Sequence, residues 1–247
     1  MHDTLLVDLG NTRLKFAVLR ADGRVEAHGA VAHADGALPD AWVDALPGHC
    51  ARAVVASVAA PALRAEVMGA LAGRCPLVVR ATTLPTLAGL RVGYPDPSTL
   101  GVDRFLAMLG ARRHDTGACL VVGVGTALTL DLVDGDGLHH GGLIAPSPAL
   151  MREALHARAA QLPADGGAFT DFGLSTPDAL RAGCDGAALA LIERTRAAAA
   201  ARLDALPRLL LHGGGAAGLA GLPADAVHAP SLVLDGLATW VGAVLAD

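Results

Sequence analysis

Apolar positions along this chain come in short runs that stop at glycine, aspartate and small hydrogen-bonding residues. The first run, Leu5-Leu6-Val7, leads into Asp8-Leu9-Gly10-Asn11-Thr12, which reads as a strand ending in a tight turn. Such a turn points backbone N–H groups and one carboxylate out of the end of a strand. The design recurs where Leu120-Val121-Val122-Gly123-Val124 runs into Gly125-Thr126 and on to Leu128–Val133. With an offset of 115, Val7 falls on Val122, Gly10 on Gly125, Asn11 on Thr126 and Val18 on Val133. Each copy then reaches an Asp-Gly pair, Asp22-Gly23 and Asp136-Gly137, a strong hairpin signal. The period is too long for a solenoid. It predicts two similar half-domains facing each other across a cleft.

The rest of the pattern fills in around these hairpins. A third strand is expected at Arg24–Val31, a short helix at Pro39–Leu46 and a buried strand at Ala53–Val58. A helix is expected from Pro61, with Leu63, Val67 and Leu71 on one face, then a strand at Leu77–Val79. Strands alternating with crossover helices give a mixed sheet. Leu90–Ser98 reads as a loop, followed by a helix over 104–113. The second half starts near Thr116. It is expected to hold a third strand at Gly141–Ala145, an amphipathic helix at Pro148–Leu162 and a loop at Gly166–Ser175. A long helix over 177–206 follows, with Thr176 as its cap. Leu209–His212 runs into Gly213-Gly214-Gly215, a natural place for a nucleotide. A last helix starts near Leu234.

Composition narrows the function classes. The chain has 247 residues, 53% of them hydrophobic, enough for a sizeable core of Ala, Leu and Val. A net charge of -5 with no basic stripe disfavours nucleic acid as a partner. Lys15 is the only lysine and Phe16 follows it, which excludes a Walker A loop and the protein-kinase lysine motif. Cys50, Cys75, Cys119 and Cys184 form no Cys-x-x-Cys and read as buried free thiols of a reducing compartment. The start lacks the character of a signal peptide, and no apolar stretch reaches the ~20 residues of a membrane span. The expectation is a cytoplasmic protein with no membrane partner.

Several residues carry candidate chemistry, each with a plainer alternative. Asp8, at the end of a strand, either holds Mg²⁺ through water beside ATP phosphates or bonds its own turn. Gly10, Asn11, Thr12, Gly125 and Thr126 either cradle phosphates or simply turn the chain. Asp103 is either a helix cap or a general base taking a proton from a hydroxyl. Arg104 either meets an anionic substrate or is a solvated helix-end arginine. His139 and His140 read as loop residues that cannot share one metal, because neighbours on a strand point to opposite faces. Asp131 faces either the cleft or solvent.

Together these motifs resemble the type III pantothenate kinases, of the acetate and sugar kinase/Hsp70/actin fold group. The resemblance spans essentially the whole chain. It rests on Asp8-Leu9-Gly10-Asn11-Thr12, Tyr94 with Leu100-Gly101-Val102-Asp103-Arg104, Gly125–Asp131, Gly141–Pro146, Thr176 and Gly213-Gly214. It implies an α/β fold of two related actin-like (ribonuclease H-like) lobes, 1–115 and 116–247, each a mixed sheet flanked by helices, around an ATP cleft. It implies ATP-dependent phosphorylation of pantothenate, the first step of coenzyme A biosynthesis. In that family's pattern Asp8, Leu9, Gly10, Asn11, Thr12, Arg13, Leu14, Lys15 and Thr126 match the ATP contacts, and Asp103 matches the proton acceptor. Tyr94, Gly101, Val102, Asp103, Arg104 and Thr176 match pantothenate contacts. The family is usually homodimeric. One position departs: many members carry, two residues before Gly125, an aspartate that binds K⁺ or NH₄⁺, and here it is Gly123. A monovalent cation would therefore have to use backbone carbonyls or be dispensable. Pro146-Ser147 stands in place of the family's Pro-Gly. Two other readings remain: a same-fold kinase or phosphatase acting on another substrate, and a non-catalytic relative acting as a regulator.

Overall fold

The computed structural model describes residues 3–33, 36–48 and 50–245. The chain divides into two compact units, Met1–Thr116 with Ser231–Asp247, and Gly117–Pro230. In the first, β1 (Thr4–Leu9), β2 (Arg13–Leu19) and β3 (Val25–Ala32) form an antiparallel meander. β4 (Arg52–Ser57) and β5 (Val78–Arg80) add in parallel on the other side of β1, giving the order β3-β2-β1-β4-β5. Between β4 and β5 runs α1 (Pro61–Ala72), opened by Pro61 at its first position, where the missing N–H costs nothing. Its Leu63, Val67 and Leu71 pack with Leu5, Val7, Leu9, Leu14, Phe16 and Val55, the residues on one face of the sheet. The short helix expected at Pro39–Leu46 is a single 3₁₀ turn, Trp42–Ala45, whose Trp42 joins this core. A two-stranded ribbon, β6 (Thr86–Leu87) and β7 (Leu90–Arg91), replaces the start of the loop expected at Leu90–Ser98.

The other face of the sheet meets α2 (Val102–His114), buried from Arg104 to Ala111. It is pressed against the chain's last helix. At the crossing Gly110 and Gly236 sit so close to the opposite backbone that a Cβ on Gly236 would lie 1.8 Å from the Leu106 carbonyl oxygen. The expected second half, 116–247, is thus corrected at its far end. The terminal helix belongs with the first unit because a Gly-to-Gly approach, which no apolar pattern reveals, seats it on α2.

The second unit repeats the plan. β8 (Cys119–Val124), β9 (Ala127–Val133), β10 (His139–Pro146), β11 (Arg208–His212) and β12 (Val227–His228) stand in the order β10-β9-β8-β11-β12. α3 (Pro148–Arg158) and α4 (Thr176–Leu203) follow β10. The last helix of the chain is α5 (Leu232–Val244). Leu120, Val122, Leu130, Leu209 and Leu211 pack against Ala188, Leu189 and Ile192 of α4. The cap of α4 is Ser175, whose hydroxyl accepts the Asp178 N–H; Thr176 is the first helical residue, so the cap expected at Thr176 is displaced by one. No helix among the described residues is long and apolar enough to cross a membrane.

Candidate active site

Strand alternation decides where Asp8 points. Leu5, Val7 and Leu9 face α1, so Asp8 faces the α2 side. Asp8 pairs across the ladder with Lys15, which therefore shares that face. The turn between them closes when Gly10 N–H bonds the Arg13 carbonyl at 3.0 Å. His33 braces it, with Nε2 3.0 Å from the Gly10 oxygen and its own N–H on the Thr12 carbonyl. Asn11, Thr12 and Arg13 are exposed, whereas the side chains of Leu9 and Leu14 are wholly buried in the core. Those two leucines can offer a ligand only their backbone.

Asp103 is the second residue of α2, after the cap at Gly101. It is no N-cap. Its Oδ1 accepts the Arg104 N–H at 2.9 Å, an otherwise orphaned donor of the first turn. An acidic side chain there also interacts favourably with the positive end of the helix. A Cβ on Gly101 would meet Asp103 Oδ1 at 2.7 Å, so glycine is what makes room for this carboxylate. Asp103 and Asp8 feel each other. Burial pushes the Asp8 carboxyl up to about 7; Lys15 opposes the rise and the charge of Asp103 adds to it. Asp8, Lys15 and Asp103 therefore form one electrostatic group. Beside it, Arg104 is buried, its guanidinium 3.3 Å from the Tyr94 hydroxyl and 5.9 Å from the ring centroid. The single tyrosine of the chain thus fixes the arginine next to the candidate base.

Among the described residues no group of three or more His, Cys, Asp and Glu could hold a metal ion. Mg²⁺ with a nucleotide does not need one, because phosphates and waters supply most of its ligands. A buried Asp8 carboxyl at about 7 suits a cation, which would restore its charge. A monovalent-cation carboxylate fits less well. Gly123 lies opposite Thr129, and a Cβ on it would stand 2.6 Å from Thr129 Oγ1 and 2.9 Å from His212 Nε2. The space that an aspartate would enter is already filled.

In the second unit Thr126 is exposed in the β8–β9 turn and Thr176 is exposed at the start of α4. Gly213, at φ +95°, carries the chain over the end of β8, where a Cβ would come within 2.4 Å of the Val124 oxygen. Gly215 N–H bonds that same oxygen. Next to this turn lies a cavity of about 180 Å³ that the sequence did not disclose, walled by Gly125, Gly215, Arg152, Arg181 and Asp185. Asp185 is buried between the two arginines, 3.0 Å from Arg152 and 3.3 Å from Arg181. The Arg181–Asp185 spacing is a visible helical pair, but Arg152 arrives from α3 only in the folded chain. The two histidines are not loop residues. His139 opens β10, fully buried, with Nε2 3.0 Å from Asp131, and His140 meets Asp134 at 2.7 Å. Asp131 is accordingly an interior partner.

Comparison with known proteins agrees with this arrangement. The family model for type III pantothenate kinase matches residues 4–198. A type III pantothenate kinase of Xanthomonas axonopodis pv. citri is 52% identical over 240 residues, covering 96% of this chain and 97% of that protein. One of Stenotrophomonas maltophilia is 52% identical over 239 residues, covering 95% and 96%. Among solved structures, a conserved putative Baf family transcriptional activator from Campylobacter jejuni superposes with a TM-score of 0.62 at 20% identity, covering 96% of each chain. The activator of 2-hydroxyisocaproyl-CoA dehydratase from Clostridium difficile, with bound ADPNP, gives 0.55 at 11% identity, covering 97% of this chain and 92% of that one. These structural likenesses establish the actin-like fold, two mixed sheets flanked by helices. With matches of this length and identity, the chain belongs to the type III pantothenate kinase family.

Proposed function

We propose that this protein phosphorylates pantothenate with ATP, the first step of coenzyme A biosynthesis, and that the reacting groups are those of the first unit. The observation that carries the reading is the electrostatic group of Asp8, Lys15 and Asp103, with Arg104 held by Tyr94 beside it. Asp103 accepts the proton of the primary hydroxyl of pantothenate. The hydroxyl oxygen attacks the γ-phosphorus, the bond to the β,γ-bridging oxygen breaks, and ADP leaves. Arg104 and Tyr94 bind the anionic end of the substrate, with the Gly101 and Val102 backbone beside them. Lys15 and the N–H and hydroxyl donors of Gly10–Thr12, with Thr126, hold phosphate oxygens, while Leu9, Arg13 and Leu14 shape that segment. Asp8 would hold Mg²⁺, which would neutralise charge on the phosphates. Such positioning and electrostatics are most of what phosphoryl transfer asks of a protein.

Thr176 contacts pantothenate in this reading, and the working form is a homodimer in the cytoplasm. The apolar groove of about 770 Å³ between α3 and α4, lined by Leu150, Met151, Leu155 and Leu180, is a surface that a second copy would cover. Four buried free cysteines accord with a reducing compartment. A monovalent cation is not required, since Gly123 offers no carboxylate.

The test is ADP release from ATP and Mg²⁺, with and without pantothenate, each with and without K⁺ or NH₄⁺. Pantothenate-dependent release equal in all cation conditions is expected. A folded protein that releases ADP in none of them overturns the kinase reading, and a strict K⁺ requirement overturns the cation reading alone.

A further inference from the structure

A second cavity of the first unit adjoins the proposed substrate contacts through Gly101 and Val102 but is lined by neither Arg104 nor Tyr94. It measures about 360 Å³ and opens at the C-terminal ends of β4 and β5. Arg64 of α1 and Arg80 at the end of β5 line it, with the hydroxyl residues Ser57 and Thr82. The Ser98–Val102 segment, on the approach to Asp103, forms much of its remaining wall. No carboxylate lines it, and among the described residues neither arginine has an acidic partner. Local structure does not account for Arg64 either. It sits in the first turn of α1, where the helix N-terminus disfavours a cation. Ser57 Oγ accepts the Ala59 N–H at 3.2 Å, which leaves its own proton to donate into the cavity. Two guanidinium groups beside donor hydroxyls, in a pocket without negative charge, match a phosphate dianion in charge and hydrogen-bonding sense. The volume exceeds a bare phosphate and reaches the range of small-molecule sites.

We propose that this cavity is a second anion site, distinct from Arg104 and Tyr94, that takes a phosphate monoester through Arg64 and Arg80. Inorganic phosphate offers the same head group without the organic part that the remaining volume can hold. The site does not depend on the kinase reading, because its test reads binding.

Calorimetric titration of the whole protein with inorganic phosphate and with phenyl phosphate, at low salt, decides it. The wild type is expected to bind both, phenyl phosphate more tightly, and Arg64→Gln/Arg80→Gln to lose about tenfold or more in affinity, the loss of charge-assisted hydrogen bonds worth about 1.4 kcal/mol. Lys15→Met removes the lysine of the other phosphate-binding segment and is expected to leave this binding intact. The proposal is overturned if the wild type binds neither anion, or if Lys15→Met abolishes binding while the double variant keeps it. Binding of inorganic phosphate without phenyl phosphate would confine the site to the free ion and overturn the monoester assignment. Arg80→Gln alone, at an exposed strand end, tests the same point with little risk to folding, and is expected to weaken binding severalfold.

Discussion

The two sheets of this protein share one topology and differ where it matters. Both run meander, then two parallel strands, in the same order, and each third strand carries a one-residue bulge against the second. The register shows how the copies diverged. Leu9 faces Leu14 across the first turn, and Val124 faces Leu128 across the second, so the second turn is one residue shorter. The offset of 115 therefore holds only for the first strand. From the turn onward it is 114: Val18 corresponds to Leu132, not to Val133, and Asp22-Gly23 to Asp136-Gly137. At the chemically decisive rung the first sheet has Asp8 opposite Lys15, and the second has Gly123 opposite Thr129. The same backbone thus carries two facing ionisable residues at one copy and a tight glycine contact at the other. The fold sets the rung, and the residue on it sets the chemistry.

Four experiments break or sharpen this contrast. Removing the proposed base of the first unit is expected to have the largest effect. Asp103→Asn should lower kcat about 10²–10⁴-fold while nucleotide affinity persists, as measured by steady-state turnover and titration with a nonhydrolysable nucleotide. Near-normal turnover would return Asp103 to a purely structural place in the first turn of α2. The second experiment asks whether α5 is integral to the first unit. Gly236→Ala drives a methyl into the Leu106 carbonyl and should cost roughly 2–4 kcal/mol in urea unfolding, because helix backbones must move apart. A neutral result would mean that α5 docks loosely.

The third concerns Asp8 and pH. In the unfolded chain its carboxyl titrates near 3.8, in the folded protein near 7. Between those values the folded state holds a proton that the unfolded state has released. Asp8 thus makes the nucleotide-free protein less stable as pH rises through that window, by on the order of 4 kcal/mol, with no further change above it. Asp8→Asn should abolish that part of the slope in denaturant titrations at several pH values. An unchanged slope would show that Asp8 titrates normally. The smallest effect is expected from transplanting a carboxylate into the second sheet. Gly123→Asp meets Thr129 and His212 and should destabilise by about 1–3 kcal/mol. Gly123→Asp/His212→Ala should recover part of this and acquire a K⁺-dependent rise in thermal midpoint. A fully stable Gly123→Asp would show that the space is open after all.

Much of this was legible in the chain. Asp8, Lys15, Asp103 and Arg104 stand at strand ends or helix starts that apolar runs and turn residues mark out. The meanders follow from alternation and Asp-Gly turns, since a period of 2 and a forced positive φ at Gly23 and Gly137 are local properties. The membership of α5 was not legible, because a Gly-to-Gly crossing leaves no periodic signal. Nor was the partnership of His139 with Asp131, because a bulge at Gly141 resets which strand residues face each other. Arg152 on Asp185, and Arg64 with Arg80 around one cavity, join residues 33 and 16 positions apart. The sequence by itself determined the strands and the turns and singled out the candidate reacting side chains, because those depend on neighbours within a few residues. Only the tertiary structure decided which charges share a neighbourhood and which stay unneutralised, because that depends on helices and strands packed from distant parts of the chain.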